Sequence, residues 1–374
     1  MARQKGKSRR RKKDWQSRYE AGEPVEDAAG RGQTMSRREV KLREDSFAER
    51  SAEDADGERV EGMIVGLFRG GALVRVAGRE LPCGIAKTYR APEGSTPLAV
   101  GDQVAVGLVD PSHFDGDREA DKDRADGMIL SRRPRHSALC RPRPWSGKRR
   151  ETYGTTIPEK VIAANMDVLL VVCATRQPPL RRALIDRFLI VAERGELKPL
   201  IVLNKTDLSP AEEELIAELR ELGLTVHAVS ALKGAGLEPL REDLVGKRGV
   251  LAGASGVGKT TLINALIPGT AAETRGVREK DQRGRHTTTA AVVYDLPGGG
   301  LIVDTPGVRE LGMKLDPAEL PWYFPEFEAM ASECRFNDCT HTHEPGCAVI
   351  AAVEAGRIPP RRYESYLRIL DSLE

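Results

Sequence analysis

Cysteine is scarce in this sequence: six occur in 374 residues, too few for a disulfide scaffold in a chain of this length. Long apolar runs are missing as well. No stretch approaches the ~18 residues of a membrane-spanning helix, and the basic first residues are not followed by the apolar segment of a secretory leader. The expectation is a cytoplasmic protein without membrane contact. A charge bias is absent too: 58 Lys and Arg face 56 Asp and Glu, a formal +2. That balance excludes a uniformly basic nucleic-acid binder and an acidic solvating chain. At roughly 150 residues per domain, the length predicts two or three domains.

What is present is unevenly placed. Residues 1–13, MARQKGKSRRRKK, hold eight Lys or Arg and no acid. The remainder therefore carries 50 cations against 56 acids, a net −6. Residues 14–57 are charged and poor in aliphatics, too polar to offset the entropy of ordering. Residues 1–57 are thus predicted to form a disordered tail with a basic arm, serving either solubility or attraction to RNA phosphates.

From Val60 the texture changes to short apolar segments: VEGMIVGLF, GALVRVAG, RELPCGIA, QVAVGLV and GMILSRR. Five such strands predict an antiparallel, five-stranded barrel of the oligonucleotide-binding type over residues 58–140. The acidic stretch DPSHFDGDREADKDRAD falls between the last two strands and reads as an exposed insertion. RPWSGKRRETYGTTIPEK, from residue 143, is basic and turn-rich, a linker or loop. Residues 141–315 then alternate strand and helix: VLLVVCAT, ALIDRFLIVAERG, PLIVLN, AEEELIAELRELG, TVHAVS, VLAG, AVVYDL and LIVD. This pattern predicts a doubly wound parallel sheet, an α/β domain.

Gly253-Ala254-Ser255-Gly256-Val257-Gly258-Lys259-Thr260, followed by Thr261, satisfies G-x-x-x-x-G-K-[ST] between a strand and a helix. The glycines let backbone N–H groups turn in on phosphates at a helix N-terminus. Lys259 is placed to reach the outer phosphates, and Thr260 to ligate Mg²⁺. Asp304-Thr305-Pro306-Gly307 closes an apolar strand, where Asp304 can hold magnesium through water and the Gly307 N–H can sense a γ-phosphate. Asn204-Lys205-Thr206-Asp207 closes another. The Asp207 carboxylate matches the N1 and N2 donors of guanine, a pattern adenine lacks, and the Lys205 stem can cover the base. Ser230-Ala231-Leu232 adds a backbone N–H for guanine O6. GTP and GDP are the expected ligands, and Asn204–Asp207 argues against ATP.

The order of these pieces is unusual. GTPases ordinarily run phosphate loop, DxxG, NKxD, SAx, whereas here residues 204 and 230 precede 253 and 304. The domain is circularly permuted, and the segment after Gly307 runs directly into the C-terminal region. That region, 316–374, holds Cys334, Cys339 and Cys347 within fourteen residues, with His341 and His343 between them. Three thiolates and one imidazole suit a closed tetrahedral Zn²⁺ of structural role. Tyr363, Tyr366, Leu367 and Leu370 then recur at helical spacing as core, with Arg361, Arg362 and Arg368 either solvated or facing RNA. Cys83, Cys140 and Cys173 are left as free thiols.

With this motif order, the GRHTTT segment and the cysteine cluster, residues 58–374 resemble the ribosome small subunit-dependent GTPase A family of circularly permuted bacterial GTPases. The resemblance implies an oligonucleotide-binding barrel, a permuted GTPase and a zinc-binding helical domain, acting in late maturation of the small ribosomal subunit with subunit-stimulated hydrolysis. It favours His341 over His343 as the fourth zinc ligand. Val308 occupies the place where Ras-like enzymes carry a water-orienting Gln, and valine makes no hydrogen bond. His286 is the candidate instead, as the family's matching histidine and as an imidazole titrating near neutral pH. Thr287, with Thr288 beside it, is the candidate second magnesium ligand. The expected partners are the small subunit and its rRNA, and a monomer is expected. The contrasting expectation is a non-catalytic RNA-binding assembly chaperone that uses GTP only as a conformational ligand.

Overall fold

The computed structural model describes residues 59–91, 96–108, 125–142, 159–267, 269, 291–305 and 315–373, all within the unit Glu44–Glu374. The expected tail, nearly all of the acidic insertion, most of the basic linker, and His286, Thr287, Thr288, Gly307 and Val308 lie outside them.

Strands β1 (Arg59–Phe68), β2 (Gly71–Val76), β3 (Arg79–Ile85), β4 (Gln103–Leu108) and β5 (Gly127–Arg132) close a barrel in the order β1-β2-β3-β5-β4. Alternation supplies its core: Ala72, Val74 and Val76 point in from β2 and meet Ile64, Val104, Val106 and Ile129. The antiparallel expectation fails at one seam, where β3 and β5 run parallel. Five strands cannot alternate direction around a closed ring, so an odd barrel must contain one parallel pair. Next, β6 (Ala138–Pro142) and β7 (Glu159–Ala164) form a separate antiparallel ribbon. The expected boundary at residue 140 therefore falls inside β6, and the stretch read as linker ends in β7.

The main sheet has the order β10-β9-β8-β11-β13-β12, from β8 (Val168–Ala174), β9 (Lys198–Asn204), β10 (Thr225–Ala228), β11 (Arg248–Ala252), β12 (Val292–Asp295) and β13 (Leu301–Asp304). All seven residues of β8 are buried. Leu169 and Val171 pack on α1 (Arg182–Arg194) and α2 (Glu213–Glu221), while Leu170 and Val172 pack on α3 (Leu237–Leu244) and α4 (Lys259–Leu266). Each such aliphatic contributes roughly 1.5–3 kcal/mol by burial, so this strand anchors both faces. The sheet is not wholly parallel, because β12 pairs antiparallel with β13. Only residues 296–300 join them, and a parallel crossover needs a dozen or more residues. Gly298, Gly299 and Gly300, all at positive φ, make the turn instead.

The C-terminal helices α5 (Pro325–Ala331), α6 (Ala348–Glu354) and α7 (Pro360–Leu373) enclose a core of Phe324, Phe327, Val349 and Tyr366, which Ile190 of α1 joins. Tyr366 is fully buried, so the apolar stripe of α7 is core, as its spacing predicts. Arg362 is not a surface cation. Its guanidinium is bound by Asp186 of α1 and by Glu326 of α5, and it stacks 4.7 Å from the Phe324 ring centre. Burial raises the Asp186 carboxyl, with Arg362 opposing. Among the described residues no helix is long and apolar enough to cross a membrane.

Removing one partner of a buried ion cluster leaves the others uncompensated. Arg362→Ala is therefore expected to lower unfolding stability by on the order of 3 kcal/mol, read as a drop in the urea midpoint; an unchanged midpoint refutes the assignment.

Candidate functional site

The parallel strands end at one edge of the sheet, and chain order reverses between β8 and β11, which lead away in opposite directions. Open α/β sheets bind ligands at such a point. The phosphate loop starts there, directly after β11. Gly253, at φ 145°, lies so close to β8 that a Cβ would stand 2.2 Å from the Val172 carbonyl oxygen. At the loop's far end Gly258, φ 91°, opens α4, and a Cβ there would stand 2.5 Å from Asn204 Nδ2. Lys259 Nζ donates to the carbonyls of Gly253 (2.7 Å) and Ala254 (2.8 Å), so the ammonium folds over the loop it is expected to serve. Thr260 and Thr261 follow in the first turn of α4.

Asn204, at the end of β9 and only 2% exposed, joins three motifs. Its Nδ2 donates to the Val257 carbonyl in the phosphate loop (2.9 Å), and its Oδ1 accepts from the Ala231 N–H (3.0 Å). Lys205 follows at φ 68°, a left-handed conformation rare for lysine. Thr175 Oγ1 donates to its carbonyl at 2.9 Å, and Lys205 Nζ donates to the Gln177 carbonyl. Thr206 N–H donates to the Val229 carbonyl (3.2 Å). Ser230 Oγ donates to Asp207 Oδ1 (2.5 Å) and accepts from the Lys233 N–H (3.2 Å). Leu232 stands out at 71% exposure on the rim.

Asp304 closes β13 at the same edge. Beside it the Thr305 hydroxyl is buried with no hydrogen-bond partner among the described residues. A glycine-lined loop with its lysine inside, an oriented carboxylate at Asp207 and a buried hydroxyl unpartnered among the described residues fit a nucleotide with its metal. Thr175 carries no motif signal and is identified only by its bond to Lys205, whereas Thr305 lies inside the Asp-Thr-Pro-Gly motif without a role assigned from sequence.

In the C-terminal region the donor atoms of Cys334, Cys339, His341 and Cys347 all lie within 4.8 Å of one another. Cys334 Sγ is 3.6 Å from His341 Nδ1 and 4.0 Å from Cys347 Sγ, and His341 Nδ1 is 3.4 Å from Cys347 Sγ. Metal–sulfur bonds of about 2.3 Å and metal–nitrogen bonds of about 2.0 Å in a tetrahedron give edges close to these. Burial lowers the His341 imidazole despite the Glu344 charge, which keeps a lone pair for a metal. His343 is exposed, with Nδ1 2.6 Å from Thr342 Oγ1.

Glu344, missed in the sequence though it sits within the cluster, ties this loop. Its carboxylate accepts from the N–H groups of Thr340 (2.9 Å), Thr342 (3.0 Å) and His343 (3.2 Å), and from Thr340 Oγ1 (2.5 Å). Burial alone would raise this carboxyl, but those bonds outweigh it and hold it at about 2. The hydroxyls of Tyr363 and Tyr366 close the shell on the carbonyls of His341 (2.8 Å) and Thr340 (2.6 Å). The remaining cysteines Cys83 and Cys173 are buried thiols, each pushed up to about 12 mainly by burial, and Cys140 is half-buried.

A phosphate loop, an Asn-Lys-Thr-Asp loop and a Ser-Ala-Leu turn pinned together at the carboxyl edge of the sheet define a phosphate-loop GTPase whose motifs run in permuted order. A family model described as RsgA GTPase matches residues 133–314. The protein named Small ribosomal subunit biogenesis GTPase RsgA from Gemmatimonas aurantiaca is 42% identical over 283 residues, 75% of this chain and 86% of that one. Among solved structures, YjeQ from Thermotoga maritima superposes with a TM-score of 0.60 at 30% identity, over 84% of this chain and 99% of that one. YloQ, titled a circularly permuted GTPase, gives 0.57 at 26% identity, over 84% and 95%. The chain belongs to the RsgA GTPase family.

Asn204→Ala removes both tethers between loops and is expected to weaken GTP-analogue binding by about tenfold or more, since two buried polar partners are stranded. Titration with a fluorescent analogue checks this; wild-type affinity contradicts it. Glu344→Ala frees four donors at once and is expected to lower the melting temperature. Because the folded carboxyl sits below its ordinary value, the wild-type contribution is present at neutral pH and lost only as pH falls toward about 2. The variant's deficit should accordingly be constant from pH 6 to pH 8, and a deficit confined to alkaline pH contradicts this origin.

Proposed function

We propose that the chain hydrolyses GTP to GDP and phosphate and acts in maturation of the small ribosomal subunit, in the cytoplasm and as a monomer. The observation carrying this is the double tether of Asn204, which joins the base loop, the phosphate loop and the Ser-Ala-Leu turn. Asp207, oriented by Ser230, selects guanine. The turn Ser230-Ala231-Leu232 supplies a backbone N–H for guanine O6, and Lys205 covers the base. Residues 253–261 enclose the phosphates, with Lys259 leaving the loop carbonyls to meet them. Thr260, Thr287 and Asp304 would hold Mg²⁺, which neutralises charge building on the β- and γ-phosphates. The Gly307 N–H reports the γ-phosphate.

Hydrolysis needs a water held in line with the bond from the γ-phosphorus to the β–γ bridging oxygen. We assign that task to His286: as the water oxygen bonds to phosphorus and the bridging bond breaks toward GDP, the imidazole orients the water and accepts its proton. The small subunit is the partner, which the names carried by the relatives support, and its rRNA is the part contacted. Cys334, Cys339, His341 and Cys347 hold one structural Zn²⁺; with all four positions filled by protein, it has none to offer a substrate.

His286→Ala is expected to lower subunit-stimulated single-turnover hydrolysis by about 10²-fold or more with GTP affinity nearly unchanged, whereas Lys259→Ala weakens binding itself. Wild-type turnover at background even with purified small subunits would favour GTP as a conformational ligand only. Chelation should release one equivalent of zinc and melt the C-terminal helices before the rest; a melting curve insensitive to chelator removes the zinc.

A further inference from the structure

A cavity of about 1240 Å³ opens between the start of α1 and the outer side of α7, alongside the phosphate loop. The phosphate loop forms its inner end, but the walls from α1 and α7 belong to none of the motifs. Its walls bring Arg181 and Arg187 from one side and Arg361 and Arg368 from the other, with Ala254 and Ser255 at its inner end. Arg181, Arg361 and Arg368 are exposed, as are Ser255 and the acids Glu212 and Glu364. None of the large exposed apolar side chains lines it. The volume suits a sizeable ligand, and although Pro178, Pro179, Leu180 and Leu184 give the walls an apolar part, arginines outnumber acids around it, Arg181, Arg182, Arg187, Arg361 and Arg368 against Glu212 and Glu364, so the charge it presents is complementary to an anion.

The arginines are held lightly. Arg361 is 3.8 Å from Glu214 and Arg368 is 3.6 Å from Glu364, with every side chain in these two pairs more than half exposed. Such water-screened pairs contribute about 0–1 kcal/mol, and a phosphate outcompetes a carboxylate for a guanidinium through charge and bidentate geometry. Arg361 and Arg368 are seven residues apart on α7, or about 10 Å along the axis, too far for one small anion to satisfy both. The geometry points to an extended polyanion. We propose that this cleft is a groove for RNA backbone phosphates, held by Arg181, Arg361 and Arg368, while Arg362 serves only the buried ion cluster. RNA in the groove lies against the outer wall of the phosphate loop, so contact with the partner reaches the nucleotide site directly. The identity of that RNA as small-subunit rRNA rests on the function proposed above.

The test uses the full chain and the triple variant R181Q/R361Q/R368Q, each bound to purified small subunits and to protein-free small-subunit rRNA across a KCl series. Intrinsic GTP turnover and the melting temperature serve as fold controls and are expected to stay at wild-type values. The variant should bind both partners at least about tenfold more weakly, with the slope of log affinity against log salt shallower by about 2, as for three lost phosphate contacts to single-stranded RNA. Wild-type affinity and slope toward free rRNA overturn the groove. Weakened binding to subunits with undiminished binding to free rRNA identifies a protein partner and also overturns it. If the arginines govern binding to free rRNA but neither chain binds subunits, the groove stands and the ribosomal assignment falls.

Discussion

The nucleotide site depends on one carboxamide. Asn204 offers a donor and an acceptor on a short side chain, and both are used, one on the phosphate loop and one on the Ser-Ala-Leu turn. An aspartate in its place would set a second acceptor against the Val257 carbonyl, and an alanine would leave two buried backbone groups without partners. Three crossovers distant in sequence are thereby fixed relative to one another. Gly258 shows how tightly: the backbone passes so near this amide that no side chain fits between them. Tethers of this kind matter most in a permuted chain, because covalent continuity no longer runs from phosphate loop to base loop in the usual sense. The folded contacts carry the geometry instead.

Features written locally were legible from sequence. The continuous apolar run of β8, the glycine spacing of residues 253–258 and the clustering of Cys334, Cys339 and Cys347 each need only a window of some twenty residues, and all appear where that window puts them. Features set by closure were not legible. The parallel seam between β3 and β5 follows from the parity of the ring, and the reversed sense of β12 follows from the length of its turn. Strands β6 and β7 were hidden because sixteen intervening residues separate two short halves of one ribbon. Helix α3 went unread because LEPLREDL offers only two turns and carries more charges than leucines. Arg361, Arg362 and Arg368 look alike in sequence, and only the packing of α7 against α1 and α5 separates the buried one from the others.

The folded part is joined by buried polar contacts rather than by apolar seams alone. Where the barrel meets the ribbon and the sheet, Asp102 is fully buried and accepts from Arg135 Nε (2.7 Å) and Nη2 (2.8 Å), while Asn165 links the Gly101 carbonyl to the His136 N–H. The C-terminal helices are keyed to α1 by Arg362 in a similar way. Directional bonds of this kind fix orientation more strictly than oil-like contact does.

Strand β12 ends the main sheet, and among the described residues no strand pairs with its outer edge. Strand β1 of the barrel packs against it, and Arg75 Nη1 reaches Asp295 Oδ1 at 2.6 Å. Such an edge is a template for pairing between copies. Among the described residues the barrel is what lies against this edge, quite apart from anything it binds. A chain shortened to begin after the barrel would keep every nucleotide motif yet expose this edge, and its failing would be self-association, not loss of the site.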